Sequence, residues 1–253
     1  MTVTCTVVDG VAEVRLDRPD RLNSLDTAMV ADFHRALDGV ADARVVLVTA
    51  EGRAFSAGRD LSDAEPLTED AEAILGDVFN PLLQRLADLD VPTIAAVQGA
   101  CLGVGLGVAF ACDVVVAADD ARIGSPFARI GAVLDSGGHR YLVERVGPHR
   151  ALELIYTGRL LSGSEAAAIG LVNRSVPADE LSESARELAR TIAAGPTEAF
   201  RESKRIVRSL ATVQLADVLA AEAAAQGRIA RTADYAEGIT AFQEKRAPTF
   251  AGR

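Results

Sequence analysis

Residues 92–113 read PTIAAVQGACLGVGLGVAFACD, a stretch that is apolar almost throughout, carries Gly99, Gly103, Gly105 and Gly107, and ends on Asp113. It is long enough to cross a bilayer. Gln98 and the glycines interrupt it, however, and no Lys or Arg stands near its ends to anchor it. A buried strand (93–98), a tight glycine turn, a short helix and a second strand (114–117) account for it better. Backbone N–H groups at the start of such a helix are unpaired and lie at the positive end of its dipole. They suit an anion, including one that exists only in a transition state. Gly103-x-Gly105-x-Gly107 is not G-x-G-x-x-G, and no G-K-S/T follows, so a phosphate loop is not indicated. The glycines also permit close helix–strand packing, which competes with the functional explanation.

Outward from this segment, strands alternate with helices, the mark of an α/β protein. Asp9-Gly10 between two β-rich runs signals a hairpin. Asp26 opens a helix with Met29, Val30, Phe33 and Leu37 on one face, and residues 45–49 (VVLVT) form a buried strand. Residues 68–89 suit a long helix, with a kink or break expected at Pro81. Residues 142–157 read as helix broken at Gly147-Pro148. Ser162 and Glu165 have capping-box spacing, and Gly170 can end the helix they open. Residues 181–194 are helical up to Gly195-Pro196. We divide the chain into a core, 1–195, and a helical C-terminal region, 196–253.

The 253 residues are 49% hydrophobic but only 4% aromatic, without tryptophan, so aliphatic side chains must fill the core. A net charge of −10 argues against a nucleic-acid partner. The scattered cysteines, Cys5, Cys101 and Cys112, do not form a disulfide framework, nor a metal-ligand pattern with His34, His139 and His149. No signal peptide is visible at the start, and a reducing cytoplasm is the expected setting.

A second loop has unusual chemistry. Residues 55–61, FSAGRDL, follow a buried strand, and their small residues let a ligand approach the main chain. Together with Asp17-Arg18-Pro19, residues 22–25 (LNSL), 136–138 (SGG), 157–176 (TGRLLSGSEAAAIGLVNRSV) and 237–250 (EGITAFQEKRAPTF), the two loops make the chain resemble the enoyl-CoA hydratase/isomerase, or crotonase, family. The resemblance covers nearly the whole chain. It implies a spiral of ββα units, C-terminal helices that form a homotrimer or dimer of trimers, and an acyl-CoA thioester as ligand. Coenzyme A would then arrive with the substrate and no separate cofactor is called for. The family's oxyanion-hole positions carry over to the amides of Ala57 and Val104. Gly103, Arg59, Asp60 and Leu61 line the same loops; Arg59 either meets a CoA phosphate or is solvated, and Asp60 caps or braces its loop. Lys245 matches a C-terminal lysine near the CoA phosphates, with a solvated helix end as the alternative.

The chain departs from the hydratase pattern at both usual acids, whose positions fall on Gly107 and Phe127. Neither transfers a proton. Asp135 stands where typical hydratases have a small residue, and family members with an acid there include isomerases and a dehalogenase branch. Ile130, Val133 and Leu134 predict apolar surroundings that raise its pKa toward a useful range. Asp135 is therefore expected to shuttle the proton in a double-bond shift. Capping a helix from Ser136 is the competing role, and His139 either faces Asp135 across a helix turn or is a surface histidine. Hydration with a non-standard base, decarboxylase or thioester-hydrolase chemistry, and non-catalytic acyl-CoA binding remain alternatives.

Overall fold

The computed structural model describes residues 1–62, 64, 68–209 and 215–252. Asp9 and Gly10, both at positive φ (50° and 78°), turn strand β1 (Val3–Val8) back onto β2 (Val11–Leu16), with Val8 opposite Val11. Two consecutive positive φ angles are what a two-residue hairpin turn demands. Strands β3 (Val45–Ala50), β4 (Thr93–Val97), β6 (Val114–Ala118) and β8 (Arg174–Val176) add in parallel, giving the order β1-β2-β3-β4-β6-β8. Every residue of β4 is buried. A parallel strand covered on both faces reads as a continuous apolar run rather than an alternating one, which is why these strands were legible.

Residues 94–112 do not form one span. They pass through β4, a short strand β5 (Ala100–Leu102) and helix α4 (Val104–Ala111), all of whose residues are buried. None of the described helices is long and apolar enough to cross a membrane. The glycine segment thus holds a strand where only a turn was expected. Strand β5 pairs in parallel with β7 (Arg122–Gly124), and single bridges Ser56–Cys101 and Ile123–Leu161 extend this small second sheet on both sides.

Asp26 caps helix α1 (Thr27–Asp38), its carboxylate accepting from the Met29 amide at 2.7 Å. At Pro81, where a kink or break was expected, the helix changes type without ending. Helix α2 (Ala71–Ala73) runs through a π-helical stretch (Ile74–Phe79) into α3 (Asn80–Ala87), which carries Pro81 in its first turn. The Asn80 amide reaches back to the Leu75 carbonyl, and this widened turn accommodates the proline ring. Helix α5 (Gly138–Thr157) starts earlier than its sequence pattern indicated and does break at Gly147, whose φ is 77°. Helix α6 (Gly163–Ala168) has the complete Ser162–Glu165 capping box. Helix α7 (Leu181–Ala193) packs on β2, β3, β4 and β6.

The C-terminal region divides into α8 (Thr197–Ser209), α9 (Leu215–Ile229) and α10 (Ala233–Glu244). Arg44 ties it down by donating to Thr197 Oγ1 and to the carbonyls of Gly195 and Phe250. Lys204 Nζ lies 2.6 Å from both the Val91 carbonyl and the Asp113 carboxylate, so Asp113 is a structural anion.

Candidate active site

The loop after β3 is clamped by two parallel bridges. Ser56 accepts from Leu102 N–H at 3.0 Å and donates to Ala100 O at 2.9 Å; Leu25 donates to Gly58 O at 2.8 Å and accepts from Asp60 N–H at 2.9 Å. In parallel pairing, the residue between the two bonded neighbours turns its own N–H and C=O away. Arg59 is that residue in the second bridge, and no described residue accepts from its amide.

Ala57 is different. Its N–H donates to the Leu22 carbonyl at 2.9 Å. The assignment of Ala57 as an oxyanion donor is therefore corrected: its proton is already engaged within the protein. The buckle that holds Leu22 is built from the 17–25 segment. Leu22 and Asn23 both have φ near 53°. The buried Asn23 side chain accepts from Arg18 N–H and donates to the carbonyls of Glu51 and Ala54, while Ser56 Oγ donates to Asn23 O.

The Val104 amide, by contrast, is unpaired. Gly103, with φ 51° and ψ −122°, opens α4 without any side-chain cap, and the first intrahelical bond is Gly107 N–H to Gly103 O at 3.1 Å. The Val104 amide consequently has no acceptor among the described residues, although Val104 is buried. Buried N–H groups are nearly always paired, so an orphan here points to a ligand. The loops touch glycine to glycine. A Cβ on Gly103 would lie 4.0 Å from Gly58 Cα, and one on Gly58 would lie 2.9 Å from Leu102 O and 3.7 Å from Val104 N. A side chain at Gly58 would run into the Leu102 carbonyl and force the loops apart. The free amides of Arg59 and Val104 each follow one of these contacting glycines.

Asp135 reaches the same neighbourhood through its successor. Ser136 is buried against α4 one turn beyond Val104: a Cβ on Gly107 would meet Ser136 Cβ at 2.7 Å and its carbonyl oxygen at 2.8 Å. Asp135 is half-buried, and burial raises its pKa. The hydrogen bond from Ser136 and the charges of Arg59 and His139 oppose that rise. Its carboxylate does not cap α5. The cap residue is Gly137 and no side chain caps that helix, so the capping role is corrected. Ser136 Oγ donates to Asp135 Oδ1 at 2.7 Å, and no described residue bonds to Oδ2.

The other expected contacts sort differently. The Arg59 guanidinium is held bidentately by Glu69 at 3.0 and 2.7 Å, so it is neither solvated nor open to a phosphate without giving up that pair. Asp60 accepts from Ser62 N–H and Oγ and pairs with Arg18 at 2.7 Å, bonds that hold its pKa well below the usual carboxylate range. It braces the loop and does not face a ligand. Leu61 is exposed, and so are Ile130 and Val133, which therefore do not supply the apolar surroundings expected around Asp135. Lys245 is the exposed C-cap of α10, at φ 56°. His139 is exposed at the start of α5.

The enoyl-CoA hydratase/isomerase family model matches residues 6–253. The chain belongs to this family. The chain is 36% identical to a 1,2-epoxyphenylacetyl-CoA isomerase of Escherichia coli K12, over 98% of this chain and 97% of that one. It is 35% identical to a 2,3-dehydroadipyl-CoA hydratase of the same organism, over 94% of each. A crystal structure of an enoyl-CoA hydratase from Bacillus anthracis superposes with a TM-score of 0.94 at 32% identity, covering 100% of both chains.

Within the enoyl-CoA hydratase/isomerase fold, the surroundings of Gly107 and Phe127 are filled by protein. Ser136 fills the space beside Gly107. The Phe127 ring lies against Gly103, 3.3 Å from where its Cβ would stand. Sequence patterns alone missed Arg59 as an amide donor, because the direction of an N–H depends on bridge register. Ser136 was also missed. Its signal, a non-glycine residue between Asp135 and two glycines in a tight turn, is visible only in retrospect.

Proposed function

We propose that this enzyme shifts a double bond within an enoyl-CoA thioester, with Asp135 as the single proton carrier. The thioester oxygen accepts from the amides of Arg59 and Val104, and charge that develops on it is stabilised by donors already in place. Asp135 Oδ2 takes a proton from the acyl chain, and the electron pair left behind delocalises into the thioester as a dienolate. The same carboxylic acid then returns the proton to a different carbon, so the double bond moves and nothing is added or lost. One carboxylate suffices, whereas water addition also needs a positioned water and an acid on each side. The observation that carries the proposal is the Asp135 carboxylate, with one oxygen held by Ser136 and the other bonded to no described residue, attached to a serine that packs against the helix opened by the unpaired Val104 amide. Its raised pKa suits a general base.

The same proposal gives Lys245 a place near the CoA phosphates, contributed across subunits of a trimer. Parallel assays of a 3-enoyl-CoA and a 2-enoyl-CoA, with wild type and Asp135→Asn, test the function. Interconversion of the double-bond isomers that disappears in the variant is expected. Wild-type hydration at ordinary enzymatic rates would overturn the isomerase assignment, and tight binding without turnover would favour a binding protein.

A further inference from the structure

We infer that Ser136 is the positioning residue for the Asp135 carboxylate, holding Oδ1 so that Oδ2 alone faces the acyl chain. The inference rests on the proposed function of Asp135. Ser136 is 4% exposed, and its Oγ donates to Oδ1 at 2.7 Å. It also occupies a backbone conformation that serine rarely adopts, with φ 55°, followed by Gly137 at φ 76°. Glycine or asparagine is the ordinary choice in this region. A serine there costs conformational energy without improving the turn itself, since the turn is already closed by Gly138 N–H donating to Asp135 O at 2.8 Å.

The packing explains how a serine stays in place. Gly107 leaves room for Ser136 Cβ and carbonyl oxygen directly against α4. The hydroxyl is thereby fixed to the helix that presents the Val104 amide, and through the hydroxyl so is the carboxylate. The charged groups acting on Asp135 are Arg59 from the loop after β3, itself paired with Glu69, and His139 from α5. Ser136 is the one hydrogen-bond donor to the carboxylate among the described residues.

Two variants separate positioning from folding. Ser136→Gly suits the left-handed conformation and removes the hydroxyl; Ser136→Ala removes it and keeps the Cβ. For each, kcat is measured against pH with the 3-enoyl-CoA, and the Asp135 carboxyl is titrated by carbon-13 NMR in protein labelled at aspartate. A hydrogen bond to an ionised group is worth about 1.5–3 kcal/mol, so the acid limb and the NMR midpoint should both rise by roughly one pH unit or more. kcat should fall with KM little changed. An unmoved midpoint in both variants overturns the inference, whatever happens to the rate. Asp135→Asn with wild-type turnover would instead reject Asp135 as the base. An inactive Asp135→Asn alongside unmoved Ser136 variants would reject the positioning role alone.

Discussion

Ser136 stands where a side chain on Gly107 would have to go, its Cβ only 2.7 Å from the position of a Cβ added there. A hydratase-like acid thus cannot be restored by one substitution. Gly107→Glu should fail to confer hydration of a 2-enoyl-CoA, followed by loss of the enoyl-thioester absorbance. Overpacking of a filled interior costs about 1–3 kcal/mol, so a lower Tm should accompany it. Hydration in this variant at rates well above wild type would mean that the Asp135–Gly138 turn yields more readily than its contacts indicate.

The Val104 amide is tested by removing its proton while leaving the helix intact. Proline is tolerated at the first position of a helix, where the N–H has no intrahelical partner. Val104→Pro should lower kcat by about 10²–10³, the usual effect of losing one oxyanion donor. Val104→Ala keeps the amide and should stay within severalfold of wild type. Circular dichroism and Tm on both variants check that α4 survives.

Asp135 carries a stability consequence that can be read without substrate. Its pKa is raised in the folded state by burial. The fold therefore binds this proton more tightly than the unfolded chain, and ionising the group costs stability as pH rises through the folded pKa. Asp135→Asn should show a Tm equal to or above wild type at pH 7. That advantage should vanish below the ordinary aspartate pKa of about 4, while isomerase turnover falls by about 10²–10⁴.

Asp60 behaves with the opposite sign. The amide and hydroxyl of Ser62, then Arg18, lower its pKa. Its contribution is present above the ordinary carboxylate pKa and is lost as pH falls through the lowered folded value. Arg18→Ala removes one of these partners from a half-buried carboxylate. The variant should lose Tm at neutral pH by more than it does in strong acid. It should also raise KM for the thioester, since the same loop positions the Arg59 amide.

Much of this was legible in the chain. The hairpin at Asp9-Gly10, the cap at Asp26 and the capping box at Ser162 are local chemistry, and local chemistry is written in neighbouring residues. Val104 was legible because a helix N-terminus exposes its amides wherever it stands. Asp135 stood out as an acid where a small residue is usual. Ala57 was misassigned because the bond from its amide to Leu22 O depends on a turn thirty-odd residues earlier in the chain, with two residues at positive φ. Pro81 marked an irregularity in the helix, but its form, a π-helical turn ahead of the proline, leaves no residue-type signature. Arg59 looked like a phosphate contact because nothing in its loop announces the ion pair with Glu69.

The two amides that flank the Gly58–Gly103 contact belong to the peptide chain, so their electrophilic power does not depend on which side chains hang above them. Arginine and valine occupy those places here, and almost anything except proline would keep both protons. A scaffold of this kind can exchange the side chains around its loops over evolutionary time while the unpaired amides stay put. Under the proposed function, a change of chemistry within one architecture then needs only a carboxylate placed at a different wall, such as the turn that precedes α5.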